Sequence, residues 1–155
     1  VHASRSLQKS LRRFDMRVPS AFRDVVDACA DPNREGRWIT DEIADAYTEM
    51  HALGWAHSIE TWQDGELVGG LYGINVGGLF AGESMFHRVT DASKAAVVAM
   101  AAYVFADGDP RRLIDVQWAT DHLRSLGVVT VSRPDYLTLL RDAVDLAPPT
   151  FGAGS

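Results

Sequence analysis

Apolar positions along the chain change their period near residue 55. Before it, spacings of three and four dominate. Leu7 and Leu11 fall on one face of a helix predicted over Ser4 to Phe14. Pro19 suits the start of a second helix running to about Ala30, which Asp31-Pro32-Asn33 ends. A third helix is capped by Thr40, carries Asp41 and Glu42 at its positive end, turns Ile43, Tyr47 and Met50 inward, and stops at Gly54. After Trp55 the texture is that of strands. His57 to Trp62 and Glu66 to Asn75 flank the hairpin signal Asp64-Gly65, and Gly77-Gly78 leads into a third strand from Leu79 to Glu83. Gly69, Gly70 and Gly73 mark bulges or close approaches. An alanine-rich helix then covers Ser93 to Phe105, followed by a strand Leu113 to Gln117, a small helix Asp121 to Leu126 closed by Gly127, a strand Val128 to Val131, and a helix from Pro134 to about Val144. The predicted order is three helices, an antiparallel meander, then α-β-α-β-α. This is a mixed α/β (α+β) fold with helices on the faces of one sheet.

Length and composition keep this picture to one soluble domain. The chain has 155 residues, of which 46% are hydrophobic and 23% charged, excluding collagen-like, low-complexity and largely disordered classes. The longest apolar run, Ala95 to Ala106, is 12 residues, short of the ~20 that a membrane helix needs. The single cysteine, Cys29, makes no internal disulfide and is read as core, which points to a reducing, cytoplasmic compartment. Residues from Pro148 to Ser155 are expected to form a flexible tail. Charge is uneven within a net of -6: Arg5, Lys9, Arg12, Arg13 and Arg17 against Asp15 give residues 1–17 a net +4, leaving -10 for the rest. A basic end on an acidic protein suits a polyanion such as nucleic acid; a solvated helix face is the alternative.

Candidate chemistry is sparse. Asp115 and Gln117 are two apart on a predicted strand and so share a face beside Leu113, Ile114 and Val116. Inward-facing polar groups need partners or a ligand, so the pair is either a structural hydrogen bond or a device for orienting an amine and polarising a carbonyl, as acyl transfer requires. Glu83 sits at a strand end between Gly82 and Ser84, within reach of a ligand amine or of water alone. Ser84 lacks the Gly-x-Ser-x-Gly context of a nucleophile and is given at most a positioning role. His2, His51, His57, His87 and His122 form no metal-ligand pattern, so no metal is expected, and no phosphate-loop motif occurs. Trp38, Tyr72 and Phe80 either line an apolar pocket, stack on a base, or pack in the core.

Several words of the sequence are recognisable together. Trp38-Ile39-Thr40, Leu53 to Glu60, Glu66 to Gly73, Gly82-Glu83-Ser84-Met85-Phe86, Ala92-Ser93-Lys94 and Leu113-Ile114-Asp115-Val116-Gln117 occur in the same order in leucyl/phenylalanyl-tRNA–protein transferases, and the chain resembles that family from about His2 to Tyr136. The resemblance implies an acetyltransferase-like (GNAT) fold and a catalytic domain over residues 1–147. It implies transfer of Leu or Phe, and less readily Met, from aminoacyl-tRNA to the α-amine of proteins beginning with Arg or Lys, a mark for N-degron degradation, without a cofactor. On the same analogy Asp115 and Gln117 correspond to the catalytic pair and Glu83 to the acid near the reacting ester. Trp38, Leu71, Tyr72, Phe80 and Ser84, with Val97, Met100 and Val104 from the following helix, correspond to the donor pocket. Arg5, Lys9, Arg12 and Arg13 match the tRNA-contacting cluster. Aminoacyl-tRNA and acceptor proteins are the implied partners of a monomer. Family members carry a further N-terminal domain to which no segment here corresponds, and the loop Asp107 to Arg112 looks longer than usual. Two other readings remain: a coenzyme A-dependent N-acetyltransferase, disfavoured because Arg88 to Ser93 lacks a pyrophosphate-cradling glycine, and a non-catalytic module that binds tRNA or N-degrons.

Overall fold

A computed structural model of the chain describes residues 3–32 and 38–151. Its centre is a five-stranded sheet in sequential order: β1 (Asp15–Arg17), β2 (Ala56–Gln63), β3 (Glu66–Val76), β4 (Leu79–His87) and β5 (Leu113–Asp115). Strands β1 to β4 run antiparallel and β5 joins β4 in parallel. That parallel pair needs a crossover, which α4 (Ala92–Val104) supplies. The remaining helices are α1 (Arg5–Leu11), α2 (Phe22–Cys29), α3 (Asp41–Ala52), α5 (Asp121–Arg124) and α6 (Arg133–Val144).

Two cores form, one on each face of the sheet. On one face Leu7 of α1, Val97, Met100 and Val104 of α4, and Leu123 and Leu126 pack on Ile59, Leu71 and Phe80. On the other, Phe22, Val25, Val26 and Cys29 of α2 and Ala44 of α3 pack on Leu67, Tyr72 and Phe86. The glycines of β3 serve this packing. A Cβ on Gly69 would lie 2.6 Å from that of Ala92, so α4 approaches the sheet only because Gly69 lacks one. Gly73 follows a bulge and faces the Phe80 ring.

The second helix starts at Phe22 rather than Pro19, and its cap comes from far along the chain. Ala21, at the N-cap, has no capping side chain. Fully buried Glu60 of β2 takes that place: its Oε1 accepts from the Ser20 and Ala21 amides at 2.8 and 2.7 Å, and its Oε2 from the Ser20 hydroxyl. The Ser58 hydroxyl and the Trp62 indole, each at 3.1 Å, complete the shell. Burial alone would push this carboxyl up, but the donors outweigh it and hold it below its ordinary value.

Two further expectations are corrected, and two segments are newly placed. Residues 15–17, between the first two predicted helices, form a strand paired with Glu60 to Trp62. The fourth strand runs on to His87 instead of ending at Glu83. Residues 128–131, expected as a strand, are coil, with Val129 74% exposed. Branched side chains favour a strand only where a neighbour offers its edge, and three-residue β5 offers too little. The tail is anchored as far as Phe151, whose ring stacks on His57 at 4.4 Å and lies near Phe80 and Tyr103. His2, Asn33 and residues 152–155 lie outside the described residues.

Candidate active site

Strands β4 and β5 pair only through Leu79 to Ala81 and then part, because the bulge at Gly82 and Glu83 turns β4 away while β5 ends at Asp115. A cavity of about 60 Å³ opens in this fork, lined by Leu71, Gly82, Glu83, Ser84, Met85, Val97, Met100 and Val116. Its walls are mostly apolar, and α4 forms the back. On the α2 side of β4 lies a wider cleft of about 690 Å³, bordered by Asp24, Asp27, Asp31, Phe86, His87 and Arg88 and sharing Met85 with the first.

Asp115 and Gln117 do meet, though strand alternation is not the reason. Gln117 lies beyond the strand with φ at 61°, a left-handed conformation that costs a residue with a Cβ about 1–2 kcal/mol. The turn is closed by the Gln117 amide, which donates to Asp115 Oδ1 at 2.8 Å, and by the Gln117 side chain, whose Nε2 donates to the Gly82 carbonyl at 3.3 Å. Between them Val116 points into the cavity, while Asp115 faces the opposite way. Its second oxygen accepts from the Tyr136 hydroxyl at 2.7 Å, and that bond raises the phenol to about 12. Neither residue lines the cavity: Gln117, open to solvent, reaches its wall through the Gly82 carbonyl, and half-buried Asp115 lies behind Val116.

Glu83 lies near Tyr47 of α3, whose phenol is pushed up by burial first and then by the Glu83 carboxylate. Half-exposed Trp38 meets Tyr47 edge-on, with centroids 6.4 Å apart. Of the expected pocket residues, Leu71, Ser84, Val97 and Met100 line the cavity and Trp38 joins Tyr47 beside Glu83. Tyr72, Phe80 and Val104 are fully buried in the two cores and do not line it. The residue pattern missed Met85, Val116, Tyr47 and Tyr136. Met85 and Val116 were visible as apolar neighbours of the acids; nothing in the sequence joins Tyr136 to a residue 21 positions earlier.

Arg5, Lys9, Arg12 and Arg13 are all exposed on α1 and its C-terminal end, on the cavity side of the sheet, because Leu7 seats the helix on the same core as α4. Arg13 bonds the Ser10 hydroxyl at 2.8 Å. Arg17 is separate, paired with Asp15 and stacked over Trp62. Among the described residues no cluster of His, Cys, Asp or Glu is arranged to hold a metal, and no helix is long and apolar enough to cross a membrane.

The model of the leucyl/phenylalanyl-tRNA protein transferase family matches residues 1–141. The chain belongs to this family. A leucyl/phenylalanyl-tRNA–protein transferase of Leptothrix cholodnii is 50% identical over 154 residues, covering 94% of this chain and 59% of that protein. Those of Chromobacterium violaceum and Herpetosiphon aurantiacus are 50% and 46% identical, covering 93% and 92% of this chain and 63% and 74% of theirs. The chain thus spans about three fifths of the length of the first two transferases. The fold is acetyltransferase-like. An aminoglycoside acetyltransferase from an uncultured soil metagenomic sample matches with a TM-score of 0.59 at 11% identity, covering 79% of this chain and 92% of that one. An aminoglycoside N-acetyltransferase solved with coenzyme A matches at 0.53 and 15%, covering 77% and 90%. At such identities the likeness is one of architecture.

Proposed function

We propose that this chain carries the transfer centre of its family and moves Leu or Phe from aminoacyl-tRNA to the α-amine of proteins that begin with Arg or Lys. The observation that supports this most is the Asp115 carboxylate, fixed by two donors and one residue from Val116 in the wall of an apolar cavity. A carboxylate oxygen accepts two hydrogen bonds, and each oxygen of Asp115 has one fixed donor, which leaves each able to accept from the N–H of an incoming neutral amine. The donor's apolar side chain enters between Leu71, Met85, Val97 and Met100. Trp38 and Tyr47 offer stacking faces for its terminal adenosine, with Glu83 beside them to accept from ribose or base. The basic stripe on α1 meets phosphates on the cavity side.

An aminoacyl ester is already activated, so no covalent enzyme intermediate is required. Asp115 and Gln117 hold the amine against the ester carbonyl. The C–N bond forms, the ester C–O bond breaks, and the proton released by the amine goes to the departing ribose oxygen. Selectivity follows from cavity shape, at about 1–3 kcal/mol per misplaced methylene.

Coenzyme A is a poorer fit. Its pyrophosphate would need the N-terminus of the helix after β4. There Asp91 takes the left-handed conformation at the N-cap, with its carboxylate 3.3 Å from Lys94 and held below its ordinary value by Ser10 and Lys94, an anion already in place. The test is to incubate the chain with tRNA charged with labelled Leu and a peptide beginning with Arg, alongside labelled acetyl-coenzyme A. Label from the tRNA should reach the peptide's α-amine; label from acetyl-coenzyme A alone would replace this reading with the acetyltransferase one. Binding of charged tRNA without transfer would favour the non-catalytic module.

A further inference from the structure

Asp115 is the last residue of the edge strand, in a sheet that offers it nothing on its outer side, since no strand among the described residues pairs beyond β5. A carboxylate in that position would turn freely about its Cβ–Cγ bond. Two contacts prevent this. The Gln117 amide fixes Oδ1 from the chain's own turn, and the Tyr136 hydroxyl fixes Oδ2 from a separate element. Tyr136 sits in the first turn of α6, a helix that starts from the Ser132 cap with Pro134 behind it. The far end of α6 is tied to the sheet by the Ala143 carbonyl, which accepts from Gly78 at 2.8 Å in the β3–β4 turn. The helix is therefore a rigid arm, pinned at one end to the root of β4 and at the other to the carboxylate where β5 ends.

We propose that Tyr136 is a positioning residue for transfer, locking the Asp115 carboxylate plane so that its remaining lone pairs meet the acceptor's α-amine. The role rests on the transferase reading above. The phenol is suited to it: raised to about 12 by its bond to Asp115 and by burial, it remains a hydrogen-bond donor throughout the neutral range. The coil from Val128 to Val131 also gains a reason. Were it a strand beside β5, it would place main chain where Tyr136 now reaches in from the side.

Removing the hydroxyl while keeping the ring is the direct perturbation. In Tyr136→Phe, kcat for Leu transfer to an Arg-starting peptide should fall by roughly 10- to 100-fold, the worth of one hydrogen bond to a charged group. KM for charged tRNA should be unchanged, because the tRNA surface is elsewhere. In an Asp115→Asn background the same change should cost little more, since Tyr136 acts only through Asp115. Spectroscopic titration of the phenols should show one transition moving from about 12 towards the ordinary tyrosine value in Asp115→Asn, a shift that general loss of packing would not confine to one ring. Full kcat in Tyr136→Phe with an active parent, or losses that simply multiply in the double variant, would overturn the role. No transfer by the parent would instead sink the transferase reading and this role with it.

Discussion

Replacing Glu60 by Gln changes one atom and no shape, yet five donors converge on that carboxylate. The least costly arrangement keeps the amide oxygen at the Oε1 position, where the Ser20 and Ala21 amides and the Ser58 hydroxyl need an acceptor. The NH₂ then faces the Ser20 hydroxyl, which can rotate to accept, and the Trp62 indole, which cannot. The three retained bonds fall from the ~1.5–3 kcal/mol of a charge-assisted bond to about 0.5–1.5 each, and the indole loses its acceptor at about 1–3 kcal/mol. Relief from burying a charge offsets part of this, leaving a net loss of about 2–4 kcal/mol. The N-terminus of α2 also loses its anion. Urea unfolding of parent and variant measures the difference directly, and at ~3 kcal/mol the melting temperature of a chain this size should drop by roughly 6–12 °C. The parent's advantage should also vanish in acid. A carboxyl depressed in the folded state contributes fully above its unfolded value near ~4.3 and loses that contribution as pH falls through the folded one. A difference below about 0.5 kcal/mol at neutral pH would refute the claim that Glu60 caps α2.

Other consequences can be checked separately. Gly69→Ala should destabilise the fold by about 1–3 kcal/mol in the same urea assay, because its Cβ would press on the main chain of Ala92 as well as its side chain; an unchanged midpoint would show that α4 shifts freely. Burial, with His51 nearby, lowers the His57 imidazole, so the unfolded chain binds its proton more readily; that share of stability is complete above about pH 6.5 and lost as pH falls through the folded value. His57→Phe should keep the stack on Phe151 and flatten the fall in unfolding free energy between neutral pH and about 5, whereas an unaltered slope would put the titration elsewhere. Replacing Arg12 and Arg13 by Ala should weaken tRNA binding and reduce the slope of log affinity against log salt by about 1.4–1.8; an unaltered slope would move the RNA surface off α1.

Much of this architecture could be read from residue order, and the exceptions share a cause. Thr40 caps a helix, Asp64-Gly65 turns a hairpin and Gly54 stops α3, and each of these acts within a few residues of itself. Asp15 to Arg17 became a strand only because β2 offered an edge, and Val128 to Val131 failed to become one because β5 did not. Glu60 capping a helix forty residues away and Tyr136 holding Asp115 are likewise contacts that only the folded chain makes. At the site, Asp115 and Gln117 stood out because polar residues broke an apolar run, but their meeting depends on a left-handed residue outside the strand. Phe80 and Val104 sit in strand and helix patterns identical to those of cavity residues; Val97 and Val104 are both buried, and only their position along α4, about two turns apart, puts one in the cavity wall and not the other.

A single-turnover comparison of the parent with Asp115→Asn bears most directly on the role of the Asp115 carboxylate, with transfer of labelled Leu from charged tRNA to an Arg-starting peptide followed beside tRNA affinity. Transfer should slow by at least about a hundredfold while affinity for the charged tRNA stays within twofold. Equal losses in both, or undiminished transfer, would show that Asp115 does not hold the attacking amine.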